Sequence, residues 1–234
     1  MNYVCVVGLR GVGKDTFATM LRAHFTRMGF DCELKALAEP IKDTMIHMLE
    51  CDSDIFYDPA KKEVPQNALY GRTPREVMQQ FGTEFCQTMF SETIWTDILI
   101  RRMENIVSES CTDICIVTDV RFPHELHAFR EKNAKIVFID KEMTCFDCKP
   151  NNWFDKIKMK FSKTPAKHAS EQGLRKLCEF GDVGIHNDGS LEELNEEAAR
   201  FAESVSLDYV ESMFARKDKR KQASLEWLAD LRKK

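Results

Sequence analysis

The sequence has no apolar run long enough to cross a membrane and no surplus of positive charge. Its longest apolar run, Tyr3–Leu9, has seven residues, whereas a membrane-spanning helix needs about 20. The 34 Lys and Arg residues are outnumbered by 38 Asp and Glu, which gives a formal net charge of −4. Nucleic-acid coats and membrane-surface proteins are usually basic, so we expect small-molecule partners, with no nucleic acid and no membrane among them.

A disulfide framework and an export signal are also lacking. The nine cysteines are odd in number and irregularly spaced, and Cys5 and Cys115 lie inside apolar, strand-like runs. A reduced thiol packs there as a small hydrophobe. No charged leader precedes a long apolar stretch. The expected location is therefore cytoplasmic.

Short apolar runs alternate with amphipathic segments along the chain. Phe17, Leu21 and Phe25, for example, recur at helical spacing after the first run. The alternation predicts an α/β fold of three layers, in which helices cover both faces of a central parallel sheet of about five strands. The predicted strands are residues 3–8, 32–37, 114–118, 135–139 and 183–186.

Three segments depart from this alternation. Residues 52–71 are polar and predict an irregular loop, and residues 141–170 form a lysine-rich insertion. Residues 206–234 predict a charged helical extension. Separate helices are expected over 190–205 and 224–232, and their apolar faces would allow a homodimer.

The strongest motif is the glycine-rich run GLRGVGKDT between a predicted strand and a predicted helix, the context of a phosphate-binding loop. Glycines let backbone N–H groups surround a phosphate, and the helix N-terminus adds partial positive charge. Lys14 would reach the β- and γ-phosphates of a nucleotide. In the usual motif a Ser or Thr directly follows this lysine, whereas here Asp15 follows it and the hydroxyl is on Thr16. The loop residues expected to hold the nucleotide are Gly11, Val12, Gly13, Lys14, Asp15 and Thr16.

A second motif, Asp119-Val-Arg121-Phe-Pro, follows a buried strand. An acid at the carboxyl end of a parallel strand faces the phosphate loop and can hold Mg²⁺ directly or through water. Arg121 would bind phosphoryl oxygens through two N–H groups. The alternatives are a turn residue for Asp119, a surface ion pair for Arg121, and a glycine turn with a chance lysine for the first motif.

Further segments resemble bacteriophage-type deoxynucleoside monophosphate kinases in the same order along the chain. These segments are residues 36–43, 71–84, 169–171 and 185–194. Together with the two motifs, they extend the resemblance over about residues 3–205. The resemblance implies one P-loop kinase domain over residues 1–234 that transfers the γ-phosphoryl group of ATP, with Mg²⁺, to a deoxynucleoside monophosphate such as dTMP, dGMP or a dCMP derivative. Within it, residues 38–110 would bind the monophosphate and 141–170 would form a lid. For a phage protein, the location would be the host cytoplasm.

The same resemblance implies roles for individual residues. Lys14, Asp119 and Arg121 would be catalytic. Asp15, Thr16 and Asp119 would organise the metal. Asn187 and Gly189 would approach the adenine. The residues implied on the acceptor side are Arg10, Lys42, Arg72, Arg75, Gln79, Gly82, Thr83, Trp95, Arg121, Ser170 and Glu171. Arg72 and Arg75 also fit simple surface ion pairs, and Trp95 also fits a core position.

The insertion departs from the usual kinase lid, which supplies arginines. Residues 141–168 contain seven lysines and no arginine, so Lys163 and Lys167 would offset charge without a two-pronged guanidinium. A lid closing over ATP would exclude water during transfer; a solvated loop is the alternative. Cys145 and Cys148 form one C-x-x-C pair, half of the ligands that a structural zinc site requires.

Three other functions fit parts of the sequence. Animal-type phosphomevalonate kinase shares the Gly-Lys-Asp loop and the segments around 169–171 and 187–189, although residues 71–84 and Trp95 favour the nucleotide enzyme. A nucleotide-binding module without transfer activity is the second alternative. A nucleic-acid-binding protein that uses the lysine patch is the third, and the negative net charge opposes it.

Overall fold

The computed structural model describes residues 2–9, 11–109, 112–141 and 181–231, with side chains described except in 106–109 and 212–231. Within these ranges, five strands form one sheet in the order β2-β3-β1-β4-β5, and every neighbouring pair is parallel. The predicted parallel sheet is therefore confirmed. The strands are β1 (Asn2–Gly8), β2 (Cys32–Ala36), β3 (Ile114–Thr118), β4 (Lys135–Asp140) and β5 (Val183–His186).

Helices connect β1 to β2, β2 to β3 and β3 to β4, and helices cover both faces of the sheet. A short 3₁₀ turn spans Asn67–Leu69, and a π-helix spans Gln80–Gln87. No helix of the described ranges is both long and apolar enough to span a membrane. The α-helices are α1 (Lys14–Arg27), α2 (Glu39–Leu49), α3 (Asp54–Tyr57), α4 (Pro74–Gln79), α5 (Ile94–Glu109), α6 (Pro123–Glu131) and α7 (Leu191–Leu231).

The side chains of β1 alternate between two hydrophobic cores, one on each face of the sheet. Residues at even positions, such as Val4 and Val6, pack with Phe17 of α1 and Phe201 of α7. Residues at odd positions, which are Tyr3, Cys5 and Val7, pack on the opposite face with side chains of α5 and α6. Successive side chains of a strand point to opposite faces, so a continuous apolar run is required where helices cover both sides. The three-layer prediction is confirmed.

Residues 52–71 are more ordered than the sequence indicates. The prediction of an irregular loop is correct for most of the segment, but it misses α3 and the 3₁₀ turn. Ile55, Phe56 and Leu69 are buried and pack with Met45 of α2 in a separate small core. These three apolar residues attach the segment to α2. They show neither helical nor strand periodicity, so the sequence pattern does not predict that they are buried.

Two helix predictions also need correction. The capping box Thr73–Glu76 followed by Val77, Phe81 and Phe85 at helical spacing predicts one α-helix. In the structure the α-helix ends at Gln79, and a π-helix begins at Gln80. The two expected helices 190–205 and 224–232 form one helix, α7, which includes the basic run 216–221. Residues 206–223 contain no Gly or Pro, so nothing in their intrinsic propensity ends the helix.

Gly8 provides a test of the contact between β1 and β4. A Cβ at Gly8 would lie 2.2 Å from the backbone oxygen of Ile139, and the backbone cannot move away without breaking the sheet. We expect Gly8→Ala to lower the free energy of unfolding by about 3 kcal/mol or more, measured by urea denaturation. The matched control is Gly29→Ala, where φ is +86° but no described atom lies within 4 Å, so about 1–2 kcal/mol is expected. Equal losses in the two variants would contradict the close approach.

Candidate active site

The glycine-rich loop connects the end of β1 to the first turn of α1. Gly11 and Gly13 have φ of 79° and 94°, in the left-handed region that only glycine adopts at little cost. Val12 is buried between them, and Asp15 and Thr16 are exposed in the first turn of α1. Because the first N–H groups of a helix have no partner within it, this turn is suited to an anion.

Lys14 bends back over the loop that it follows. Its ammonium donates a hydrogen bond to the carbonyl of Leu9 at 2.7 Å. Burial lowers the pKa of Lys14, with Arg121 acting in the same direction and Asp15 and Asp119 opposing it. The three side chains predicted to be catalytic, Lys14, Asp119 and Arg121, are therefore close enough to influence one another electrostatically.

Asp119 directly follows β3 and has a φ of +56°, an unusual conformation for a residue other than glycine. Its Oδ2 accepts a hydrogen bond from the N–H of Ala38 at 3.4 Å. Its Oδ1 is buried and has no hydrogen-bond partner among the described residues. Burial raises the pKa of Asp119, and the nearby Arg121 and the Ala38 hydrogen bond lower it. A buried oxygen without a donor fits a metal ligand, since Mg²⁺ prefers oxygen.

Glu125, which the sequence analysis missed, fixes the turn that carries Arg121. Its side chain is 6% exposed, and its Oε2 accepts hydrogen bonds from the backbone N–H groups of Arg121 at 2.7 Å and Phe122 at 3.0 Å. Burial raises the pKa of Glu125 to about 7. The available signal was Pro123 followed by an acid two residues later, which is typical of a capped helix start.

Cationic side chains from separate segments converge beside Asp119. Burial lowers the pKa of Lys62, and Arg75, Arg121 and Lys42 lower it further, whereas Asp119 opposes them. The backbone of Lys62 also contacts Arg75, whose N–H donates to the Lys62 carbonyl at 3.3 Å. Sequence reasoning missed Lys62, because it lies in the segment interpreted as an irregular loop and no motif marks it.

Arg72 and Arg75, both predicted on the acceptor side, have different neighbours. The guanidinium of Arg75 forms an ion pair with Glu63, next to Lys62 in the chain. Arg72 is exposed and hydrogen-bonds Gln80. Of the two arginines, Arg75 is the one that the Lys62 interactions place in the cationic cluster.

The predicted base-side residues are divided between core and surface. Trp95 is 5% exposed, and its indole N–H donates to the carbonyl of Gly82 at 2.9 Å. A Cβ at Gly82 would lie 3.0 Å from the side chain of Ile41, so this glycine allows the π-helix to pack closely on α2. Thr83 is exposed on the same π-helix, and Gln79 is partly buried at the end of α4. Trp95 therefore occupies a core position, which was the alternative interpretation of this residue.

Asn187 contacts the glycine-rich loop directly. Its side-chain Nδ2 donates to the carbonyl of Val12 at 2.8 Å, and its backbone N–H donates to the carbonyl of Asp140. A Cβ at Gly13 would lie 2.5 Å from this Nδ2. Gly189 precedes the start of α7, where Glu193 accepts from the N–H of Ser190 at 2.8 Å. Proximity of Asn187 and Gly189 to adenine stays a prediction.

Several predicted residues lie outside the described ranges. The part of the chain that the structure describes has no group of three or more His, Cys, Asp and Glu residues that would hold a metal ion. The predicted residues outside the described ranges are Arg10, Cys145, Cys148, Lys163, Lys167, Ser170 and Glu171.

Comparison with known proteins identifies the family. The sequence profile of the deoxynucleotide monophosphate kinases matches residues 62–198. A protein of Acanthamoeba polyphaga mimivirus assigned to this activity is 24% identical over 201 residues, which are 82% of this chain and 92% of that protein. A deoxynucleotide monophosphate kinase of Escherichia phage RB69 is 31% identical over 121 residues, which are 51% of this chain and 41% of the phage protein.

Two further similarities complete the comparison. A deoxynucleoside-5′-monophosphate kinase of Escherichia phage T5 is 38% identical over 73 residues, 30% of this chain and 28% of that enzyme. Among solved structures, shikimate kinase of Aquifex aeolicus has a TM-score of 0.44 at 15% identity, covering 88% of this chain and 98% of that enzyme.

A parallel sheet with a glycine-rich loop after β1 is the architecture of a nucleotide-binding protein. The family profile spans more than half of the chain, so the chain belongs to the deoxynucleotide monophosphate kinase family. The resemblance stated from the sequence is confirmed, and with it the prediction of an ATP-dependent nucleotide kinase.

Glu125 makes a pH-dependent contribution to stability that can be measured. The folded state keeps a proton on Glu125 up to about pH 7, whereas the unfolded state loses it near pH 4.5. The difference in free energy of unfolding between the wild type and Glu125→Gln is therefore most favourable to the wild type below about pH 4.5. This difference falls by on the order of 3 kcal/mol as pH rises through 7. Urea denaturation of both proteins between pH 4.5 and 8.5 measures this difference.

Glu76→Gln is the matched control for this titration. Hydrogen bonds from Thr73 lower the pKa of Glu76, so its contribution is lost only as pH falls and stays level above about pH 5. A wild-type advantage over Glu125→Gln that does not change with pH would show that Glu125 titrates normally.

Proposed function

We propose that this protein transfers the γ-phosphoryl group of ATP to the phosphate of a deoxynucleoside monophosphate. The observation that carries the proposal is the proximity of Lys14, Asp119 and Arg121 at the carboxyl ends of β1 and β3. Ligands of open parallel sheets bind at this edge, and family membership supports the reaction.

ATP would bind on the glycine-rich loop. The backbone of Gly11, Val12 and Gly13 and the first turn of α1 offer N–H groups to the phosphates, and Asn187 steadies this backbone through the Val12 carbonyl. Lys14 would exchange its hydrogen bond with Leu9 for phosphate oxygens. Its ammonium is partly desolvated, so its attraction to a phosphate is stronger than in water.

Mg²⁺, when bound with ATP, would neutralise charge on the β- and γ-phosphates. Asp119 is the proposed ligand, because its Oδ1 is buried and lacks a donor among the described residues. Thr16 would assist through its hydroxyl. Asp15 is exposed beside them and would complete the metal environment through water.

The acceptor would bind opposite the loop, on the cationic cluster. We assign the acceptor phosphate to Lys62 and to Lys42, Arg75 and Arg121, each of which lies near enough to Lys62 to lower its pKa. A phosphate acceptor is already anionic, so no strong general base is required. Positioning and charge neutralisation carry the reaction instead. Arg72, Gln79 and Thr83 would contribute to the sugar or base side, and Gly82 and Trp95 would shape it from the core.

The lysine-rich insertion would close over both nucleotides. We propose residues 141–170 as the lid, with Lys163 and Lys167 supplying charge, and Arg10, Ser170 and Glu171 on the acceptor side. The helical region 38–110 would be the monophosphate-binding part of a single domain over 1–234, and residues 206–234 its C-terminal extension. Exclusion of water by the closed lid would favour transfer over hydrolysis of ATP.

A coupled assay of ADP release tests the function directly. The purified protein is supplied with ATP and a panel of deoxynucleoside monophosphates, ribonucleoside monophosphates and phosphomevalonate, with and without Mg²⁺. Transfer to at least one deoxynucleoside monophosphate is expected, and it should depend on Mg²⁺ and be lost in Lys14→Met. Transfer only to phosphomevalonate, or nucleotide binding without any transfer, would overturn the proposal.

Asp119→Asn tests the proposed metal ligand. The substitution keeps the shape but removes the charge, so the Mg²⁺ concentration for half-maximal rate is expected to rise about tenfold or more, which corresponds to about 1.4 kcal/mol. Because burial disfavours the ionised carboxyl, the free energy of unfolding without Mg²⁺ is expected to rise. Asp113→Asn is the control, since Asp113 follows α5 at the opposite end of β3. An unchanged Mg²⁺ requirement would remove Asp119 from the metal site.

A further inference from the structure

Tyr57 connects two neighbouring residues of the acceptor side through different parts of its side chain. Its hydroxyl donates to Oδ1 of Asp43 at 2.8 Å. The ammonium of Lys42 lies 4.3 Å from the centroid of the Tyr57 ring, within the range of a cation–π interaction. Neither Tyr57 nor Asp43 was singled out in the sequence.

The contact is held in place by the helices around it. The second oxygen of Asp43 accepts from Arg102 of α5 at 2.6 Å, so Asp43 joins α2, α3 and α5. Ile55 and Phe56 anchor α3 in the small core. The backbone of Tyr57 is therefore fixed by buried neighbours, while its own side chain is 44% exposed.

Lys42 has several cationic neighbours, with the carboxyl of Asp119 as the opposing charge. Lys62, Arg75 and Arg121 lie in the same cluster, and like charges repel one another before a phosphate arrives. A lysine side chain has considerable rotamer entropy, so a specific contact is needed to hold the ammonium of Lys42 in one position. The ring face of Tyr57 offers a position that attracts a cation and leaves its N–H groups available.

Burial raises the pKa of the Tyr57 hydroxyl, and the hydrogen bond to Asp43 raises it further. The hydroxyl thus remains a donor at neutral pH and keeps the ring oriented.

We propose that Tyr57 is a positioning residue that holds the ammonium of Lys42 ready for the acceptor phosphate. The inference rests on the proposed function, in which Lys42 binds that phosphate. Tyr57 itself needs no contact with the nucleotide. Its effect is expected on acceptor affinity, and not on ATP binding or on the rate of transfer once both substrates are bound.

Two substitutions of the same residue separate the ring from the hydroxyl. Tyr57→Leu removes the ring face and should raise KM and Kd for the deoxynucleoside monophosphate about three- to tenfold, in line with the usual strength of cation–π contacts. Its kcat and its KM for ATP should stay within about twofold. Tyr57→Phe keeps the ring face and loses the hydrogen bond to Asp43 that orients it, so its acceptor KM should rise less than that of Tyr57→Leu. Its kcat and its KM for ATP should stay within about twofold of wild type.

The double variant with Lys42→Met decides between positioning and a general structural role. Lys42→Met alone should raise the acceptor KM, and adding Tyr57→Leu to it should have little further effect, because the ring acts only through Lys42. Fully additive effects would overturn the inference, as would a normal acceptor KM in Tyr57→Leu or an equal rise in Tyr57→Phe.

Failure of the proposed function would look different. If Lys42→Met left the acceptor KM unchanged while transfer remained measurable, Lys42 would not bind the acceptor phosphate, and its assignment would fall together with the inference. If Lys42→Met raised the acceptor KM and Tyr57→Leu did not, the inference alone would fall.

Discussion

The site depends on a carboxylate held where water cannot reach one of its oxygens. Asp119 is placed at the end of β3 in a strained backbone conformation, with Oδ1 buried and no donor for it among the described residues. A lone buried carboxylate is costly, and the cations Lys14 and Arg121 offset part of that cost. Under the proposed function, a bound cation would supply a partner for Oδ1 at the edge where phosphates would meet the sheet.

Side-chain to backbone hydrogen bonds fix the segments around this carboxylate. Glu125 holds the N–H groups of the turn that carries Arg121, and Asn187 holds a carbonyl of the glycine-rich loop. Both elements are loops, which would otherwise move more than the sheet. Fixed donors and charges need little reorganisation during a reaction, and this is how proteins stabilise developing charge. The sheet positions the loops, and these two side chains set their detailed shape.

Contiguous signals in the sequence predicted most of the fold and the position of the glycine-rich loop. β3 was predicted to the residue, because a run buried on both faces leaves no polar position that would obscure its ends. β5 was also predicted to the residue, although Ile185 is the one buried residue of its four. The glycine-rich loop was predicted because all of its residues are adjacent. Lys62 was missed because its cationic neighbours lie in other segments of the chain. Glu125 was missed although its partners, Arg121 and Phe122, are local, because a helix-capping signal does not by itself mark a functional residue. The π-helix was missed because its cause, the packing of Gly82 against Ile41 and Trp95, is a tertiary contact.

The missing side chain at Gly13 links two distant parts of the chain. Any Cβ there would meet the amide of Asn187 at 2.5 Å, in addition to the strain of a φ of 94°. A larger side chain at position 13 or at position 187 would therefore clash with the other residue unless that residue also changed. A bulkier residue in place of Asn187 would have to shift the loop that follows β5 outward, so substitutions at positions 13 and 187 must be designed together.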